Sequence, residues 1–217
     1  MSLGKCFVVA CVMIFAGCAS NSNFRSGRPL GAGNAQGVFS VSHIGTREVD
    51  TAKYLFEPPD FTFFEIGAML GVLEGLDVGL KYTFPSAGCL EAKYALVGKN
   101  AEKGFFLTPG LRGGYTSFPY SDSTEAEESN RIELAVPLYL SYYPLDWLGF
   151  NVIPTYSVRF FNSEDSEINN LLGGNINIDI GRKFGFIAEV AFYRNFTAEW
   201  NEFQFGGGIK FALRDLF

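Results

Sequence analysis

Hydrophobic and polar residues alternate along most of this chain, and residues 132–161 show the pattern most clearly. Ile132, Leu134, Val136, Leu138, Leu140 and Tyr142 share one parity, with Glu133, Ala135, Pro137, Tyr139, Ser141 and Tyr143 on the other. A period of two is that of a β-strand, whose successive side chains point to opposite faces. After a tight turn at Pro144-Leu145-Asp146 the alternation resumes. Leu148, Phe150, Val152, Pro154, Tyr156, Val158 and Phe160 oppose Gly149, Asn151, Ile153, Thr155, Ser157 and Arg159. The two runs predict a long antiparallel hairpin. Each run has one large apolar face and one face that is small, polar or charged. The apolar face must lie against a protein core or against lipid, and alternation is common to both.

The same signal recurs elsewhere. Residues 61–73 place Phe64, Ile66, Ala68, Leu70 and Val72 opposite Glu65, Gly67, Met69 and Gly71, and residues 76–84 place Leu76, Val78, Leu80, Tyr82 and Phe84 opposite Asp77, Gly79, Lys81 and Thr83. Further strands are expected over 38–46, where alternation is weakest, and over 89–97, 105–116, 172–181, 184–193 and 203–213. This predicts an all-β, antiparallel, up-and-down transmembrane β-barrel of about ten strands, with eight and twelve as the neighbouring even counts. Pro109, Pro137 and Pro154 fall inside strands, where a missing N–H interrupts the ladder, and each is expected to mark a bulge.

The connections favour a barrel in a membrane. Short turns at Glu74-Gly75, 144–146 and Arg182-Lys183, with 98–104 somewhat longer, fall at one end of the sheet. At the other end, 47–60, 117–130, 162–167 and 194–202 are long and polar, and 85–88 is short. Outer-membrane barrels have short periplasmic turns and longer external loops, and an even strand number brings both termini to the short-turn end. Tyr142 and Trp147 at one rim, and Phe61 and Phe160 at the other, fit interfacial aromatic girdles.

The polar parity is rich in Gly, Ala, Ser, Thr and Asn with charges of both signs, which suits a narrow barrel's interior better than a solvated surface. The expected lumen charge network is Glu65, Asp77, Lys81, Glu91, Lys93, Arg112, Glu133, Arg159, Asp179, Glu189 and Lys210, because a buried charge needs a partner. Composition agrees. The 217 residues include 23 Phe, 10 Tyr and 25 Gly, as expected for one all-β domain, and a net charge of −6 supplies no basic field for nucleic acid.

The N-terminus has its own signal. Lys5 precedes the apolar run Cys6–Gly17, which is shorter than the roughly 20 residues a spanning helix needs, so residues 1–17 are expected to be a signal peptide. Phe15-Ala16-Gly17-Cys18 resembles the lipobox of bacterial lipoproteins, with Phe15 where that family usually has Leu. The resemblance implies acylation of Cys18, and Ala19 in place of Asp implies an anchor in the outer membrane; ordinary cleavage near Ala19 is the alternative. Residues 18–37, rich in Gly, Ser and Asn, are expected to be a lipidated flexible tether and 38–217 the barrel. With Cys6 and Cys11 removed and Cys18 acylated, only Cys89 remains, and no intrachain disulfide is expected.

The other end carries a second resemblance. Gly206-Gly207-Gly208-Ile209-Lys210-Phe211-Ala212-Leu213, in a chain ending at Phe217, resembles the last-strand signal of small bacterial outer-membrane β-barrel proteins. Two departures are Gly206, where that pattern prefers a polar residue, and Asp215, which interrupts the alternation. The resemblance implies outer-membrane lipid and the outer-membrane assembly machinery as partners, and the even strand count together with the lipobox resemblance at Cys18 implies an N-terminus lipid-anchored on the periplasmic side.

Chemistry is sparse. His43 is the only histidine, and the serines of Ser121-Asp122-Ser123 have no fixed spacing from it. Residues 122–128 are acidic but lack the glycine and spacing of a calcium loop. No catalytic, cofactor-binding or metal-binding residue is assigned, and no cofactor is expected. The expected role is structural or surface-interactive, in a barrel whose filled lumen is not that of a general porin. The alternatives are a periplasmic, soluble, lipocalin-like barrel with an apolar ligand inside, and a lipid-modifying enzyme of the outer membrane.

Overall fold

The computed structural model describes residues 22–48, 61–85, 87–119, 128–162 and 168–213. Ten strands follow one another in the described chain. They are β1 (Ala35–Glu48), β2 (Phe61–Leu73), β3 (Leu76–Thr83), β4 (Ala87–Tyr94), β5 (Gly104–Pro119), β6 (Glu128–Leu145), β7 (Leu148–Asn162), β8 (Ile168–Gly181), β9 (Phe184–Asn195) and β10 (Trp200–Leu213). Each strand pairs with the next, and β1 pairs antiparallel with β10, from Ala35 opposite Leu213 to Glu48 opposite Trp200. The sheet is therefore a closed up-and-down barrel without an edge strand.

The direction of the side chains decides what the barrel faces. On β3, Val78 is 39% and Leu80 49% exposed, whereas Asp77 is 0% and Lys81 8% exposed. The same holds on β6, where Ile132, Leu134 and Val136 are exposed and Arg131, Glu133 and Ala135 are buried. The barrel is apolar outside and polar inside, so the lipocalin-like alternative, which needs an apolar interior, does not describe it. A groove of about 810 Å³ on the outer wall is lined by Phe39, Val41, Phe64, Phe84, Ile180 and Ile209 among others. It adds to the apolar surface that water would otherwise have to cover.

Several strands run further than alternation of large apolar residues indicated. β1 begins at Ala35 rather than Val38, β8 at Ile168 rather than Leu172 and β10 at Trp200 rather than Phe203. Backbone pairing continues where the side chains turn polar, because the ladder depends on main-chain groups. β4 is the exception. It ends at Tyr94, and Val97 keeps only an isolated bridge to Leu107.

The strand prolines are not bulges. Pairing passes from Pro109 opposite Leu138 to Arg112 opposite Ala135, and from Pro137 opposite Thr155 to Leu140 opposite Val152, without a change of register. Pro154 sits in register opposite Gly174. The absent N–H leaves a gap in the ladder but adds no residue to the strand. Register shifts lie instead at Gly71/Leu73 and Tyr142/Leu145, next to short turns.

Candidate functional site

The lumen is occupied by the chain's own N-terminal segment. Residues 18–37 were expected to form a flexible tether, but from Ser22 onward they have fixed partners inside the barrel. Ser22, Asn23, Phe24 and Arg25 are all buried. Going back from β1, the Gly33 amide donates to the Gly71 carbonyl at 2.9 Å, and the Gly71 amide to that of Asn34 at 2.8 Å. The Leu30 amide donates to the Asp77 carboxylate at 3.2 Å. At the short-turn end, Arg28 donates to the Asp146 carbonyl at 2.8 Å, and its guanidinium lies 4.2 Å from the centre of the Tyr143 ring. Arg182 ties two of these turns together, reaching Asp146 at 2.7 Å and Glu102 at 3.5 Å.

Above that closure the segment climbs the lumen. The Gly27 amide donates to Ser141 Oγ at 2.7 Å, and its carbonyl accepts from Thr108 Oγ1 at 2.6 Å. Lys93 donates to the Ser26 carbonyl. Arg25 donates to the Leu80 carbonyl at 2.9 Å and pairs with Glu91 at 3.6 Å. Phe24 packs with Val38 and Ile187 in a small apolar cluster. The Asn23 amide donates to Glu189 at 2.8 Å, while Asn23 Oδ1 accepts from Arg112 at 2.9 Å. Ser22 Oγ donates to Glu65 at 2.5 Å, and the Ser22 carbonyl accepts from Lys81 at 2.9 Å. The segment thus supplies main-chain and side-chain groups that satisfy a buried polar wall.

Small residues on the wall make room for it. A Cβ at Gly79 would lie 2.4 Å from Arg25 Nη1, and one at Gly206 would lie 2.8 Å from Phe24 Cζ. Gly206 stands where the last-strand pattern prefers a polar side chain; a Cβ there would also lie 2.5 Å from the Val41 carbonyl oxygen, so the neighbouring strand and the Phe24 ring close that space together.

All eleven residues expected in the lumen charge network face inward and are buried. The structure brings most of them together as ion pairs. Lys81 meets Glu65 at 3.2 Å, Lys93 meets Asp77 at 3.4 Å, and Glu133 receives Arg112 at 3.3 Å and Arg159 at 2.8 Å. Lys210 pairs with Asp179. Glu91 is matched by Arg25 of the segment and accepts from Tyr139. Glu189 is held by neutral donors: the Asn23 amide, Asn175 at 2.9 Å and Asn177 at 3.3 Å. Glu202 and Arg131 had not been singled out from sequence, yet both are buried, and Glu202 binds Arg159 at 3.0 Å. Extending the inward parity of Gln204 and Glu133 by one step reaches them. Ser22–Gly27 offers no comparable signal, since it has no periodicity.

His43 lies on the outer wall, its Nδ1 3.2 Å from Thr62 Oγ1 and its ring 5.1 Å from that of Phe205. Residues 122–127 of the acidic stretch and the Ser121–Ser123 loop lie outside the described residues, as do the Phe61 side chain and Cys18. Of the expected girdle, Tyr142 and Phe160 are exposed on the outer wall, and Trp147 is exposed in the turn between β6 and β7. Cys89, buried on the lumen side of β4, is disulfide-bonded, contrary to the expectation of no intrachain disulfide.

No family model and no curated protein matches the chain. Among solved structures, it is similar to Ail, the attachment invasion locus protein of Yersinia pestis, at 9% identity and a TM-score of 0.40, over 84% of this chain and 99% of that one. The structure of Ail in complex with the heparin analogue sucrose octasulfate gives 8% identity and a TM-score of 0.41 over the same shares. Likeness this low carries no inference about ligand or role.

Proposed function

We propose that this chain is a non-enzymatic outer-membrane β-barrel protein with a structural or surface-interaction role, and that its own N-terminal segment closes it to general solute passage. The observation that carries this reading is the inversion of the barrel. Its outer wall is apolar around the circumference, while the lumen holds paired charges and the segment from Ser22 to Leu30. Water is a poor solvent for such a wall, and hydrocarbon a good one.

In this reading the short turns face the periplasm and the longer connections face outward, following the asymmetry of membrane barrels. β10 presents the last-strand pattern to the assembly machinery, and outer-membrane lipid surrounds the wall. The lipobox resemblance assigns an acyl group to Cys18.

The test is fractionation of an exporting bacterium that expresses the full chain. The protein should stay with outer membranes through carbonate extraction and migrate differently in detergent gels before and after boiling. Release by carbonate, or a single mobility at both temperatures, overturns the reading.

A further inference from the structure

We propose that the groove on the outer wall is a binding site for one phospholipid of the periplasmic leaflet, with the headgroup phosphate at Lys183 and an acyl chain over Gly207. The inference rests on the outer-membrane reading, with the short turns toward the periplasm, and otherwise on the shape and charge of the wall.

The groove has a floor of small residues on three adjacent strands. Gly207 of β10 stands between Val41 of β1 and Ala188 of β9 in the ladder. A Cβ at Gly207 would meet nothing closer than the Ile187 carbonyl oxygen at 3.7 Å, so the floor is open space. Larger side chains close the same rung at both ends, Phe64 beyond Val41 and Ile178 beyond Ala188. A smooth wall touches a hydrocarbon chain on one side only, whereas a groove touches it on three and gains dispersion contacts accordingly.

From this floor the lining continues through Phe186 to Ile180, which pair with each other at the short-turn end of β8 and β9. The connection there is Arg182-Lys183. Arg182 is taken by Asp146 and Glu102, while Lys183 is exposed and has no acidic partner among the described residues. An ammonium at the membrane surface attracts an anionic headgroup. Spacing ties the two features together. From Lys183 to Ala188 the backbone advances about 17 Å, and one leaflet supplies about 15 Å of hydrocarbon. A lipid whose phosphate is held at Lys183 therefore brings the end of its acyl chain over the small floor.

The full chain is exported, purified in detergent, freed of co-purifying lipid and titrated with dipalmitoyl phosphatidylglycerol, and native mass spectrometry counts the lipids on each protein. One lipid is expected to bind ahead of all others. Gly207→Phe, which fills the floor, should weaken this first binding about tenfold, as expected for the loss of roughly ten carbon contacts. Lys183→Gln should weaken it about fivefold and leave binding of dipalmitoylglycerol, which has no phosphate, unchanged. Ala188→Phe fills the same floor from β9 and replaces Gly207→Phe should the latter lack heat-dependent mobility. The proposal is overturned if lipids add in a series with no preferred first site, if the filled groove or Lys183→Gln binds as the wild type does, or if the species lost on filling the groove is a protein dimer. Carbonate extraction and heat-dependent mobility are read on the same protein, so loss of the lipid site in a membrane-retained barrel is distinguishable from failure of the outer-membrane reading.

Discussion

At the scale of single residues, the lumen depends on charges whose partners arrive from distant parts of the chain. Glu133 is the clearest case, since it receives Arg112 of β5 and Arg159 of β7 while 2% exposed. Removing one partner of a buried ion pair typically costs about 3–5 kcal/mol, because the remaining charge is left in a poor solvent. Glu133→Gln is accordingly expected to lower the stability of the folded barrel by about 3 kcal/mol, read as a shift in urea unfolding in detergent or lipid. A loss within about 0.5 kcal/mol, as for a surface substitution, would mean that water reaches this carboxylate. His43→Ala is expected to leave stability and membrane association unchanged. Its described contacts are Thr62 Oγ1 and the Phe205 ring on the outer wall, and heat-dependent gel mobility checks the outcome.

At the scale of elements, the strands were legible in sequence and the plug was not. Leu76–Thr83 is a β-strand because Val78 and Leu80 need an apolar neighbour while Asp77 and Lys81 need ionic ones, and only an alternating backbone provides both. The inward parity could be read the same way, so the charged residues of the lumen were recognisable from their spacing. Strand ends were less legible, as at Trp200–Glu202, because main-chain pairing outlasts the run of large apolar side chains. Ser22–Gly27 escaped for a different reason. A short sequence of Ser, Asn, Arg and Gly around the single apolar Phe24 suits open water as well as a polar lumen, and which one surrounds it depends on residues more than a hundred positions away, such as Ser141, Asn175 and Glu189. The burial of Arg25 has a direct consequence for proteolysis. Trypsin is expected to leave the Arg25–Ser26 bond intact in the folded protein and to cut it after boiling. Phe24→Asp, which puts a carboxylate into the Val38 and Ile187 cluster, should make that bond cleavable in the folded barrel while the heat-dependent mobility persists. Mass spectrometry of the fragments reads both outcomes, and equal cleavage of native and boiled wild type would contradict a lumenal plug.

At the scale of the whole molecule, closure of β1 on β10 and inversion of the faces act together. A closed sheet leaves no unpaired main-chain edge in hydrocarbon, and an outer wall of Leu, Ile, Val and Phe removes the need for water there. Inside, the segment from Ser22 to Leu30 takes up volume that solvent would otherwise fill. In planar bilayers the intact protein is expected to show no porin-sized conductance steps, and deletion of residues 22–30 should produce small, frequent ones. Equal conductance with and without the segment would show that it does not block passage. The most direct test of the inverted barrel is the environment of two adjacent positions on β6. Spin labels at Val136 and at Ala135, placed in a cysteine-free background and reconstituted in lipid, are compared for collision with oxygen and with a water-soluble nickel chelate. The account predicts that the label at Val136 meets oxygen and is shielded from the chelate, while the label at Ala135 is shielded from membrane oxygen; a label at Val136 that collides freely with the chelate would contradict it.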